Sequence, residues 1–109
     1  MPNTAKVLFR GAATTTTTTT LYTVPSLTEA IVSTITVCNQ AATAATYRIA
    51  IRPDGATLAA QHYVAYDVSL PGNATDTLTL GITVNASDVI TVYASSATMS
   101  FNAYGSEIS

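Results

Sequence analysis

The chain has 109 residues, of which 48% are hydrophobic and only 9% charged, and it carries a formal net charge of -2. That length gives one domain and leaves no room for a second. The charge balance lacks the basic footprint of a nucleic-acid binder, and no apolar run approaches the roughly 20 residues that a membrane-spanning helix needs.

Charged residues usually make up about 25% of a soluble domain. Here solubility must come from Thr, Ser, Asn and Gln, or from burial of much of the surface against partner molecules. Residues 1 to 20 lack the basic start and apolar centre of a secretory leader, so synthesis in the cytosol is expected. The single cysteine, Cys38, has no partner for an internal disulfide and reads as a small core residue.

Near the start, Ala5, Val7 and Phe9 alternate with Lys6, Leu8 and Arg10. This is the pattern of an edge strand, or of an arm that docks on the sheet edge of a neighbouring subunit. Lys6, Leu8 and Arg10 are therefore candidate interface residues. Thr14 to Thr20 is an unbroken threonine run, whose β-branched side chains favour extended backbone while their hydroxyls stay solvated. An ice-binding or glycosylated array would need repetition over several strands or interspersed proline, which the run does not supply. Residues 1 to 20 are expected to form an arm or edge strand with a Thr-rich linker, and residues 21 to 109 a β-sandwich domain.

LYTVPSLTEAIVSTITVCN, from Leu21 to Asn39, reads as strand, corner, strand. Pro25 removes a ladder donor and forces the turn. Ile31, Ser33, Ile35 and Val37 then share one face and Val32, Thr34, Thr36 and Cys38 the other. After a small, polar loop, Tyr47, Ile49 and Ile51 alternate with Arg48, Ala50 and Arg52, and Pro53-Asp54-Gly55 supplies a sharp corner. ATLAAQ is too short for a stable helix and is expected to be loop with one possible turn.

The next strand sets His62, Val64, Tyr66, Val68 and Leu70 against Tyr63, Ala65 and Asp67, and stops at Pro71-Gly72-Asn73. Leu78, Leu80 and Ile82 then alternate with Thr77, Thr79 and Gly81 up to a turn at residues 85 to 88. VITVYAS and MSFNAYG complete the series, and SEIS reads as a polar tail. Seven to eight short strands with regular turn signals and no helical period define an all-β fold, a single antiparallel β-sandwich of Ig-like or jelly-roll topology.

The chemistry-bearing residues are few. His62 is the one histidine, and no cysteine pair or carboxylate cluster at ligand spacing accompanies it, so neither a metal nor another cofactor is expected. A triad of a serine, His62 and Asp67 can be drawn on paper, but no nucleophile turn supports it, and no catalytic residue is assigned. Asp54, Asp76 and Asp88 fall at expected turns, where short acids accept from backbone donors. Asn73-Ala74-Thr75 and Asn85-Ala86-Ser87 have the glycosylation triplet but read as turns. Six tyrosines in so small a chain point to contact surfaces, because tyrosine pairs a large apolar body with a wet hydroxyl. Tyr63, Tyr66 and Tyr104 are the candidates, and a sugar-binding cluster is the competing reading.

LYTVPSLTEAIVSTITVCNQAATAATYRIAIRPDG, QHYVAYDV and LTLGITVNASDVITVYAS together resemble a family of small β-rich virion proteins of tailed bacteriophages, particularly those of cyanobacterial and marine hosts. The likeness runs from about Leu21 to the C-terminus and rests on the Tyr-x-Val-Pro start, the Val-Cys-Asn strand end and the Tyr-Arg-Ile-Ala-Ile-Arg-Pro strand. These are scaffold features, and the first thirteen residues and the threonine run lie outside them. The resemblance implies a structural particle component located in the virion: a capsid decoration (cement) protein that binds the major capsid protein or other virion proteins as a homo-oligomer, commonly a trimer. A tail, neck or fibre-associated protein of the same fold is the alternative, and a carbohydrate-binding module for the host surface is a second. No nucleic-acid or membrane partner is implied.

Overall fold

The computed structural model describes the backbone of residues 5–13 and the full side chains of residues 18–108. Eight strands follow in order: β1 (Ala5–Ala13), β2 (Thr19–Thr23), β3 (Glu29–Asn39), β4 (Ala45–Arg52), β5 (Tyr63–Leu70), β6 (Thr75–Val84), β7 (Val89–Ala94) and β8 (Met99–Ile108). They form two four-stranded sheets with orders β1-β8-β3-β6 and β2-β7-β4-β5. All pairs are antiparallel. Every connection except β4 to β5 crosses from one sheet to the other, the double Greek key of a jelly roll. An Ig-type sandwich would set β1 beside β2, whereas here they lie in opposite sheets.

The core forms where the two inner faces meet. Ile35, Val37, Phe101 and Ala103 come from one sheet, and Tyr47, Ile49, Ile90 and Val92 from the other. The Tyr47 and Phe101 rings meet edge to face with centroids 6.1 Å apart. Two tyrosine hydroxyls also bridge the layers, Tyr22 donating to the Glu107 carboxylate and Tyr47 to Asp76 Oδ2 at 2.9 Å. Asp76 is thus a strand residue satisfied across the core and not a turn cap.

Bulges correct the simple alternation. Ser33 is an extra residue of β3 against β8, and its hydroxyl donates to the Tyr104 carbonyl at 3.1 Å. The inward set is consequently Ala30 and Val32 before the bulge and Ile35, Val37 and Asn39 after it, with Ile31 turned out to solvent. β3 there comes so close to β8 that a Cβ on Gly105 would stand 1.9 Å from the Ile31 carbonyl oxygen.

In β5 the pairs Tyr47 with Val68 and Ile49 with Ala65 leave both Tyr66 and Asp67 opposite Arg48. Asp67 adopts φ 50° to do so. Val64 and Tyr66 therefore face outward while Val68 and Leu70 turn in, so the expected common face of His62, Val64, Tyr66, Val68 and Leu70 is broken in two.

Other expectations are adjusted in smaller ways. β1 pairs with β8 of its own chain from Ala5 opposite Ile108 to Ala13 opposite Ser100, so residues 106–108, expected as tail, are strand. Thr19 and Thr20 open β2, and Thr14 to Thr17 lie outside the described residues. Cys38 is half-buried on the outer side of β3, beside the inward Val37 and Asn39, and not a core residue. The turn chemistry at Asn73 and Ser87 holds, with φ 56° and 71°.

One end of the sandwich is tied by a single buried amide. Asn39 Nδ2 donates to the carbonyls of Thr43, Leu70 and Pro71 at 2.9, 3.3 and 3.4 Å. Its Oδ1 accepts from the Ala41 N–H and the Thr98 hydroxyl, both at 3.1 Å. Asn39→Ala is expected to lower the unfolding free energy by about 3 kcal/mol, because it strands partners at three connections; urea denaturation measures this, and a loss below about 1 kcal/mol would mean that water replaces the amide.

Burial, then the hydrogen bond to Asp76, raises the Tyr47 hydroxyl well above its ordinary pKa of 10.0. The unfolded chain gives up this proton at about pH 10 and the folded chain keeps it, so Tyr47 favours the folded state fully below that pH and progressively less above it. Stability is expected to fall as pH rises beyond about 10, and Tyr47→Phe to flatten the fall. An unchanged slope in Tyr47→Phe would assign the effect to another group.

Candidate functional site

The segment between β4 and β5 builds one wall of the site. Asp54 and Gly55 take φ 53° and 69°, which reverses the chain at the corner after Pro53. Asp88 holds the corner against the neighbouring turn, its Oδ1 accepting from the Asp54 N–H and its Oδ2 from the Asn85 N–H, both at 2.8 Å. Arg52 Nη1 donates to the Ala56 carbonyl at 3.3 Å, and the Ala59 N–H donates to His62 Nδ1 at 3.0 Å. His62 thus closes the single turn Ala60–His62 with one ring nitrogen, which carries no proton in that contact.

This segment and the start of β5 enclose a solvent-open hollow of about 590 Å³, lined by Leu58, Ala59, Ala60, Tyr63 and Tyr66. The Tyr63 and Tyr66 rings form its aromatic side, with centroids 4.9 Å apart and planes at 81°. Tyr66 and the adjoining Val64 are 57% and 49% exposed.

The β5 bulge supplies the site's charge. Opposite it, the Arg48 Nε donates to Asp67 Oδ1 at 2.6 Å and Nη2 donates to Oδ2 at 3.3 Å, a two-pronged contact. The guanidinium carbon lies 4.2 Å from the Tyr66 ring centroid and 4.8 Å from that of Tyr93, the residue opposite Arg48 on β7. The Asp67 hydrogen bond holds the Arg48 pKa above its usual value. The arrangement is a platform: apolar ring and Val64 surface beside a guanidinium whose rotamer is already fixed, the kind of surface that loses little side-chain entropy on contact.

Of the sequence candidates, Tyr63 and Tyr66 come together here. Tyr104 lies on β8 in the other sheet and belongs to a different face. Lys6, Leu8 and Arg10 sit on β1 in register with Glu107, Gly105 and Ala103, and their side chains fall outside the described residues. His62 and Asp67, drawn together in the paper triad, are engaged separately, one with the Ala59 N–H and the other with Arg48. Arg48, Tyr93 and Leu58 were not singled out from sequence. The outward position of Arg48 was readable from the β4 alternation, but its meeting with Tyr66 needed the bulge.

A second feature is the corner after β2, where Leu27 takes φ 59° and stands 87% exposed. The corner is laced to the 85–88 turn by the Val24 N–H to Asp88 carbonyl and Ser87 N–H to Val24 carbonyl bonds, both 3.0 Å. Among the described residues no group of three or more His, Cys, Asp or Glu is placed to hold a metal ion.

No protein-family model matches this sequence, and no curated protein matches it. What the fold and the site together define is a class: an eight-stranded jelly-roll sandwich with an aromatic and guanidinium platform on the outer face of one sheet.

The Arg48–Asp67 pair is solvent-exposed and serves orientation more than stability. Asp67→Asn is expected to leave the thermal midpoint unchanged within error and to speed exchange of the Arg48 Nε–H in NMR spectra. Unaltered exchange would show that the two rings alone hold the guanidinium.

Proposed function

We propose that this chain is a non-enzymatic structural component of a tailed-bacteriophage particle, made in the host cytoplasm and assembled into the virion. Its most specific role is that of a capsid decoration protein, which as a homo-oligomer binds the major capsid protein across capsomer junctions. The residue-level resemblance of Leu21 onward supports the class, and the jelly roll is an architecture that capsid domains use, a fold-level analogy. The observation that carries the reading is the Tyr63–Tyr66–Val64 platform with its clamped Arg48. Tyr and Arg are the residue types in which contact surfaces concentrate binding energy.

Such a protein acts by burial. An interface on the order of 1,000 Å² or more per contact adds cohesion to the shell, and repetition over many junctions turns modest contacts into avidity. A tail, neck or fibre fitting of the same fold uses the same surface in fewer copies. The open hollow beside two tyrosine rings favours a further reading, a carbohydrate-binding module for the host surface.

Labelled full-length protein mixed with undecorated heads is expected to cover the head surface in many copies, with Tyr66→Ala weakening capture by about tenfold, the size of a single contact hot spot. Label confined to tails, or present in a few copies per particle, replaces the decoration reading with the tail fitting. Binding to a glycan array that Tyr66→Ala abolishes, without head binding, replaces both with the sugar-binding reading.

A further inference from the structure

We propose that β1 is an exchangeable strand: β1 of one copy leaves its own β8 and pairs with β8 of a second copy in the same register. The exchange needs no capsid, because it follows from the strand order and from the connection that carries β1.

Four strands stand at sheet edges, β1, β2, β5 and β6. Among the described residues, β1 alone of these is joined to the sandwich by one connection, so it can change partners without unthreading the rest. Its ladder is also readily transferred. The nine residues of β1 pair β8 from Ala5 opposite Ile108 to Ala13 opposite Ser100 with no shift, whereas the β2–β7, β3–β6, β3–β8 and β4–β5 ladders are all interrupted by shifts. A strand from another copy meets the same backbone groups as the chain's own strand, with Lys6 again opposite Glu107.

The connection is what favours a second copy. β1 runs against β8 and β2 against β7, and the chain reverses between β7 and β8 at residues 95–98, so it must also reverse between Ala13 and Thr19. The residues available for that reversal, Thr14 to Thr18, are all threonine. Other connections have dedicated turn chemistry: Pro25 after β2, Pro53-Asp54-Gly55 after β4, Pro71-Gly72-Asn73 after β5, Asn85 with Asp88 after β6, and the Asn39 amide tying the one after β3. Threonine is β-branched, favours extended backbone and has none of the turn-forming freedom of Gly, Pro, Asn or Asp. Reversal within one copy opposes that preference, and a short connection in such conflict promotes strand exchange. Extended, five residues reach about 17 Å, farther than the roughly 10 Å between packed sheets and enough to carry β1 onto a neighbour.

Detachment alone is not an alternative resting state. It would bare the backbone row of the ten-residue β8, whose Phe101 and Ala103 are fully buried. The β1 of a second copy fills the same place, and a reciprocal exchange closes at two subunits with no edge added.

Disulfide trapping on the full chain tests this, with Cys38→Ser removing the native thiol. One chain carries Val7→Cys and another Ser106→Cys, positions opposite each other in the ladder and within disulfide reach. The two are refolded together at high concentration and oxidised. The expected product is a two-chain species linked from 7 to 106, at a yield at least about tenfold above that with Thr77→Cys in place of Ser106→Cys, since β6 is separated from β8 by β3. A single chain carrying both Val7→Cys and Ser106→Cys is expected to link internally when dilute and between chains when concentrated, which shows that the ladder survives the substitutions. Adding Thr15→Asn with Thr16→Gly supplies a turn and is expected to lower the exchanged fraction by at least about tenfold, with circular dichroism confirming the fold. Internal linkage at every concentration, a yield equal to the Thr77→Cys control, or an exchanged fraction unmoved by the Asn-Gly turn overturns the exchange.

Discussion

The side-chain amide of Asn39 is the constraint on which the arrangement at one end of the sandwich depends. It sits fully buried at the end of β3, where an unpaired amide would cost several hydrogen bonds' worth of desolvation, and each of its two ends is occupied. The carbonyls and donors it satisfies belong to, or directly adjoin, three connections, 40–44, 71–74 and 95–98, each of which crosses between sheets. Gly72 completes the junction, since a Cβ there would fall 2.3 Å from the Ala42 carbonyl carbon. The jelly roll needs long-range crossings that local propensity does not encode. One residue with two hydrogen-bonding ends fixes how they meet.

From that anchored end, Leu70 runs back along β5 to the bulge at Asp67, and the bulge decides what the outer face presents. Without the extra residue, Tyr66 would share a face with Val68 and Leu70 and enter the core. With it, Tyr66 and Asp67 both address Arg48, and an exposed platform replaces a buried ring. The left-handed backbone of Asp67 is compatible with the ion pair that its carboxylate makes, so the bulge and the clamp on Arg48 reside in one residue.

The same bulges mark where the sequence ceased to be readable. Strand positions, the Pro25 corner, the turn residues at 53–55, 71–73 and 85–88 and the all-β class follow from period and turn chemistry, which are local. Ile31 and Ile35 have the same chemistry two turns of the pleat apart, yet one is in solvent and the other in the core. Nothing local distinguishes them, because the inversion at Ser33 is set by its bond to the Tyr104 carbonyl, a residue distant in the chain. The choice between Ig-like and jelly-roll order was hidden for a related reason, as strand lengths and turn spacings are common to both. Of the site, Tyr63 and Tyr66 were legible as amphipathic surplus. Arg48 was legible only as an outward residue, and Tyr104 was grouped with them although a whole sandwich separates it.

The outer face of the β3–β6 pair has its own consequence. Thr34 and Thr36 of β3 stand beside Thr79 and Thr77 of β6, continued by Thr75 and Thr83, a sheet surface covered by hydroxyl groups and almost without charge. Hydroxyls hydrate well and do not depend on ionic strength, whereas charged surfaces lose their mutual repulsion and attraction once salt shortens the screening length to a few ångströms. The hydration of such a face therefore changes little between low and high salt. The low charge that makes the composition unusual is thus matched on this face by hydroxyls, placed by which side of each strand the threonines occupy.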